Sequence, residues 1–248
     1  RFDPCLYYLR DSSAALVGVL AVNVDDSMTG GEGPVYAAAI QALRDRFPYR
    51  KWLQHQGDCC GTQYSQDPET KIISGNQAKF VEKMKPVRLS RHRLRHPEAP
   101  ATPSEIAQGR SCFGDGGWIC KETRPDLSCQ VSFGQSCFPQ PTVGQLAQGA
   151  ALVRRAKQYA DLSVKYLPIP ASELTMIADL DAAWGNAKGN GTQAGYVLGF
   201  TDRSMAQGQE APWTPFHWRS FRLKRLVPST LAGEAQAASS CSAALEWM

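Results

Sequence analysis

The sequence predicts an α+β protein, and three observations carry that reading. Short apolar runs broken by turn residues dominate the first third, and one-sided helical patterns fill the middle. Several strands followed by a single helix close the chain. At 248 residues there is room for one large or two modest domains. No apolar run approaches the length needed to span a bilayer. A net charge of +4 is compatible with nucleic-acid binding without arguing strongly for it.

The first element of note is the run through Val17, Val19, Leu20, Val22 and Val24, which stops on Asp25 and Asp26. It reads as a buried strand ending in a tight turn at Ser27 to Gly31. Two adjacent carboxylates at such a tip repel each other and lose solvation unless a divalent cation neutralises them. The plainer alternative is a pair of solvated acids in a surface turn, where Asp is common. Upstream, Phe2 to Arg10 reads as a strand folded back by the Asp11-Ser12-Ser13 turn. After Gly33-Pro34, the spacing of Val35, Ala38, Ala39, Ala42 and Leu43 predicts a one-sided helix ended by Pro48. Gly31-Glu32-Gly33 before that helix lacks the third glycine of a dinucleotide fingerprint, since Tyr36 stands there.

Cys59 to Gln66 predicts a strand, Asp67 to Thr70 a turn and Lys71 to Ile73 the returning strand. Ser74 and Gln77 have capping-box spacing, so a helix is expected to carry Phe80, Val81 and Met84 inward and stop at Pro86. Residues 88–103 concentrate Arg88, Arg91, Arg93 and Arg95 with His92 and His96, then turn rich in proline and alanine. This segment reads as a solvated linker or as a tracker of a phosphate backbone. His92 and His96 have no third ligand nearby, which argues against a metal.

Three helices are expected next. One opens at Ser104-Glu105 and is weakened by Gly114, Gly116 and Gly117. A second starts at Arg124-Pro125-Asp126, and a third runs from Thr142 to Tyr159 with a basic side at Arg154, Arg155 and Lys157. Strands are predicted over 162–167, 174–181, 195–201 and 216–220, then a helix from Thr230 to Trp247. Asp179 and Asp181 share one face of their strand, and Glu234 is placed in the first turn of the closing helix. Carboxylates from a strand and an adjacent helix can converge on a two-metal site that cleaves a phosphodiester; the alternative is that Asp179 and Glu234 are surface acids and only Asp181 is partly buried.

The eight cysteines are spread along the chain, with Cys59 and Cys60 adjacent. Cys112, Cys120, Cys129 and Cys137 have no C-x₂₋₄-C spacing, which argues against zinc, and reduced thiols are the expectation. The first residue is Arg1 in mid-pattern, so the chain reads as a fragment.

Taken in order, these residues resemble the Pol polyprotein of copia-type LTR retrotransposons. Asp3-Pro4-Cys5-Leu6-Tyr7, Val22-Asn23-Val24-Asp25-Asp26 and Thr29-Gly30-Gly31 are similar to the reverse-transcriptase palm, with Asn23 standing where the family has an aromatic residue. Phe47 to Trp52, Cys60-Gly61 and Tyr64 to Asp67 fit the segment that follows. Thr123 to Leu127, Pro141-Thr142-Val143 and Arg154-Arg155 resemble the thumb. Leu180 to Trp184, Thr192 to Val197, Trp218-Arg219-Ser220 and Ser229 to Ala235 resemble the RNase H domain.

The resemblance implies the end of a palm over 1–87, a basic and Pro-rich linker over 88–103 and a helical thumb or connection over 104–160. A truncated RNase H-like α/β domain would occupy 161–248. It implies Mg²⁺ held by Asp25, Asp26, Asp181 and Glu234 as catalytic acids, with nucleic acid bound by Arg88, Arg91, Arg93, Arg124, Arg154 and Arg155. The partners implied are an RNA–DNA hybrid or template–primer duplex and the rest of the polyprotein, in an intracellular particle or the nucleus and not on a membrane. A polymerase palm needs an earlier aspartate and the nuclease a later one, so this piece alone is expected to have little activity. The rival reading is a decayed or co-opted fragment that only binds nucleic acid. A small-molecule phosphotransferase using Asp25 fits less well, because adjacent acids are not the Asp-x-Asp spacing such enzymes use.

Overall fold

The computed structural model describes residues 3–247. Phe2, expected to open the first strand, lies outside them. The chain divides into two compact units, Arg1–Ser65 and Gln66–Met248. Helices and strands are mixed, and every described strand pair is antiparallel, as an α+β chain requires.

The first unit is built from hairpins. Strands β1 (Leu6–Arg10), β2 (Leu16–Asn23) and β3 (Asp26–Gly31) form one sheet in that order. The Asp11 carboxylate accepts from the backbone N–H groups of Ser13 and Ala15 and shapes the first turn. Helix α1 (Gly33–Arg46) buries no residue completely. Tyr36 ties it to the sheet, its ring covering Gly18 and Gly31 where any Cβ would collide with it. Ala39, Ile40 and Leu43 are half-buried beside it. Strands β4 (Gln56–Cys59) and β5 (Thr62–Gln66) make the second hairpin. The turn between them falls at Cys60-Gly61, inside the stretch predicted as one strand. Both residues have positive φ, 50° and 80°, the pairing that a two-residue type I′ turn demands.

The second unit holds the hydrophobic core. Strand β6 (Ile73–Asn76) pairs with β7 (Val164–Tyr166). Helix α2 (Ala78–Lys83) follows, but Ser74 lies in the strand and does not cap it; Asn76 accepts from the Ala78 N–H instead. The short α3 (Arg91–Leu94) leads to α4 (Pro103–Glu122), α5 (Ser128–Ser136) and α6 (Val143–Gln158). Complete capping boxes start α4 (Thr102 with Glu105) and α6 (Thr142 with Gln145). Phe113, Ile119, Leu127, Leu146 and Leu152 are fully buried among these helices. Each such side chain contributes roughly 1.5–3 kcal/mol of apolar burial. Gly116, one of the glycines expected to weaken α4, lets helices approach by lying under Leu152, and Gly109 does the same under Leu146.

Strands β8 (Thr175–Ala187), β9 (Gly191–Thr201) and β10 (Trp213–Arg222) form a meander. Helix α7 (Thr230–Trp247) packs on the face carrying Leu180, Ala182, Ala194 and Tyr196, through Ala237 and Cys241. The opposite face meets α5, where Gln193 donates to the Ser132 hydroxyl. Among the described residues no helix is long and apolar enough to cross a membrane.

Candidate functional site

Two hairpin tips of the first unit bring together the first set of reactive groups. Asn23 pairs with Asp26 across the β2–β3 turn, leaving Val24 and Asp25 at the tip. Val24 is 94% exposed with φ of 55°, an uncommon backbone state for a β-branched residue. The Cys60 N–H donates to Asp26 Oδ2 at 3.0 Å, and Asn23 Nδ2 donates to Cys60 Sγ at 2.9 Å. The two thiol sulfurs lie 3.8 Å apart. Asp26, Cys59 and Cys60 offer ligand atoms all within 4.8 Å of one another. Among the described residues no other His, Cys, Asp or Glu joins them, Asp25 included. Burial, then the neighbouring Cys60 and the Asp26 charge, pushes the Cys59 thiol up to about 11.

This donor set does not fit the expected Mg²⁺. Magnesium takes oxygen ligands in near-octahedral geometry, whereas thiols select softer ions. The expectation that Asp25 and Asp26 act as a magnesium pair therefore meets a site of different chemistry. Asp26 is committed to the cysteine turn and Asp25 stays exposed in the tip.

The second set is in the meander. Asp179 and Asp181 share a face, as expected, and line a groove of about 320 Å³ with Ser128, Cys129, Trp218 and Ser220. Glu234 is exposed on α7 and falls in its second turn, because the helix begins at Thr230. Helix α7 covers the Leu180 and Ala182 face, so Asp181 and Glu234 leave from different sides of the sheet. Their expected convergence on a shared metal is corrected by this alternation. Asp181 Oδ1 instead accepts from the Ala182 N–H.

The arginines separate into structural and available groups. Arg124, expected to bind nucleic acid, is 1% exposed. It makes a bidentate pair with Asp126 and donates to the Ala156 and Tyr159 carbonyls at the end of α6. Its charge is consumed internally, and it is corrected to a structural residue. Arg93 likewise makes a bidentate pair with Glu105 and donates to the Pro100 carbonyl. That pair, together with the Thr102 cap, holds the Glu105 carboxyl down to about 2. Arg88, Arg91, Arg154 and Arg155 remain exposed, with Arg155 only 3.9 Å from Asp126.

The exposed bases are held in one arrangement. Residues 82–97 run antiparallel to α6. Lys157 Nζ donates to the Glu82 carbonyl, Val87 lies against Gly149, and the Gly144 N–H donates to the Pro97 carbonyl. Lys83, Lys85, Arg88, Arg91 and Arg95 are thus set out along a 16-residue helix, about 24 Å at 1.5 Å per residue. Residues 66–160 carry 14 of the 27 Lys and Arg but only eight of the 23 acids. Arg95 belongs to the basic cluster read from the sequence, whereas Lys83 and Lys85 were read only as the outward face of a helix and not as binding residues. Cys59 and Cys60 were noted only as adjacent thiols, since nothing local shows that Asp26 reaches them.

Compared with protein-family models, with curated proteins and with solved structures, the chain matches none.

Proposed function

We propose that this chain binds the phosphate backbone of a nucleic-acid duplex through the basic track beside α6, without catalysing chemistry on it. The single observation that carries this reading is the row of exposed bases from Lys83 to Arg95 laid along α6. Phosphate contacts by Lys and Arg supply sequence-independent affinity, and a row running along most of α6 suits a backbone better than a small molecule. Its origin as a piece of a copia-type Pol polyprotein is part of the same proposal. The order of its motifs supports that ancestry, as does a three-stranded meander followed by a helix bearing Glu234. On that ancestry the preferred ligand is an RNA–DNA hybrid or template–primer duplex, met inside a cytoplasmic particle or the nucleus with the remaining polyprotein. Binding by this track needs no Mg²⁺, since it rests on Lys and Arg alone.

The test is binding of the full chain to a fluorescent RNA–DNA hybrid over a salt series. The expected slope of log K against log salt is about −2.7 to −3.6, from three or four phosphates neutralised. Arg88→Glu with Arg91→Glu and Arg95→Glu is expected to weaken binding at least tenfold and flatten that slope. Asp181→Asn and Glu234→Gln are expected to leave affinity within twofold. Salt-independent binding, or an unchanged affinity in the triple variant, sinks the proposal. Robust primer extension or hybrid cleavage would restore the enzymatic reading of the same ancestry.

A further inference from the structure

The geometry points to a thiophilic divalent-cation site, of the kind Zn²⁺ fills, formed by Cys59 Sγ, Cys60 Sγ and a carboxylate oxygen of Asp26. The argument begins with the turn. Adjacent residues in a strand point to opposite faces, so neighbouring cysteines ordinarily do not share a ligand. Here Cys59 ends β4 and Cys60 occupies the first turn position with φ of 50°. That backbone state brings both sulfurs to one side, 3.8 Å apart. For a tetrahedral ion with metal–sulfur bonds of about 2.3 Å, the sulfur–sulfur edge is about 3.8 Å. The free spacing therefore already matches the bound one.

The turn position itself supports use of the thiol. A two-residue type I′ turn favours Asn before Gly, and Cys before Gly61 pays a conformational penalty there. The third ligand arrives from the other hairpin and is aimed by the protein. The Cys60 N–H fixes one oxygen of Asp26, and the other oxygen is left to bind. Asn23 donates to the Cys60 sulfur, a contact that stabilises a thiolate. Three protein ligands leave the fourth tetrahedral position to water. On binding, each coordinating thiol loses its proton to solvent as its sulfur–metal bond forms, and no oxidant is needed.

A cation here would join the β2–β3 and β4–β5 hairpins. No hydrophobic side chain among the described residues of this 65-residue unit is fully buried. Units of that size without a core usually depend on a metal, a disulfide or a partner. The soft donor set selects the metal's class, and the missing core supplies its structural purpose.

The experiment titrates the reduced, chelator-treated full chain with Zn²⁺, and with Co²⁺ as a spectroscopic substitute. One equivalent of Co²⁺ is expected to give a thiolate-to-metal charge-transfer band that Zn²⁺ abolishes and millimolar Mg²⁺ does not. Zn²⁺ is expected to protect Cys59 and Cys60, but not the exposed Cys5 and Cys129, from alkylation in the unsubstituted chain. Cys59→Ser with Cys60→Ser should remove the band, Asp26→Asn should weaken binding at least tenfold, and Asp25→Asn should leave it within twofold. Absence of the band, protection of other cysteines instead, or binding retained by the double serine variant overturns the site. The protection measurement needs no substitution, so a variant that fails to fold leaves the outcome decided.

Discussion

The two units of this chain solve the problem of holding a fold in opposite ways. In the second, α4, α5 and α6 close on Phe113, Ile119, Leu127, Leu146 and Leu152, and even an arginine is drawn inside and fully paired. In the first, Tyr7 (56%), Leu16 (51%) and Phe47 (52%) stay largely exposed, and order rests on hairpin turns and one tyrosine over two glycines. Apolar content alone does not explain the difference, since both units have apolar runs. Burial needs two faces brought together, and three helices with small residues at their crossings supply them. The hairpins of the first unit leave their apolar side chains uncovered, which makes polar links such as Cys60 to Asp26 comparatively important.

The sharpest way to break this comparison is Arg124→Met. Losing the guanidinium strands Asp126 and two carbonyls at the end of α6, at a cost of about 3–5 kcal/mol. Hydrogen exchange should show the loss across α4 to α6, with the amides of β2 and β3 unchanged; equal loss in both units would contradict it. The next effect is a pH dependence of the α4 region. Glu105 is held near 2 when folded, below its ordinary 4.5. Its contribution is therefore fully present above about 4.5 and disappears as pH falls from there through about 2. Urea unfolding of the α4 region should flatten over that window in Glu105→Gln, which also loses about 1 kcal/mol at neutral pH. The smallest effect belongs to the first unit. Val24→Gly relieves a positive φ at an exposed turn and should slow exchange in β2 and β3 by a factor corresponding to about 0.5–1 kcal/mol. A faster exchange there would mean the valine side chain is used.

Much of the second unit was legible because its signals are local. The helix read as opening at Ser104-Glu105 starts at Pro103 behind a Thr102–Glu105 capping box, and the helix read from Thr142 starts there behind Thr142 and Gln145. The closing helix matches its predicted span, Thr230–Trp247. The capping box read at Ser74 and Gln77 did not form, since strand pairing of Ile73 to Gly75 with β7 claims that backbone. Long-range partnership was the harder matter. Arg124 and Arg154 look alike in a charge count, yet one is sealed under the end of α6 and the other is in water. Asp181 and Glu234 suit a shared site by residue type, but alternation along β8 directs Asp181 away from the helix that carries Glu234.

By itself, the sequence determined where most of the helices lie, that the class is α+β, and where positive charge accumulates, because capping, periodicity and composition act over a few residues; it missed β3, which stands where a turn was expected at Ser27 to Gly31. Only the tertiary structure decided which charges are spent inside, which acids meet, and that Asp26 belongs with Cys59 and Cys60 more than 30 residues away. Those outcomes depend on the direction in which each side chain leaves its element, and packing between distant elements sets which of those directions meet.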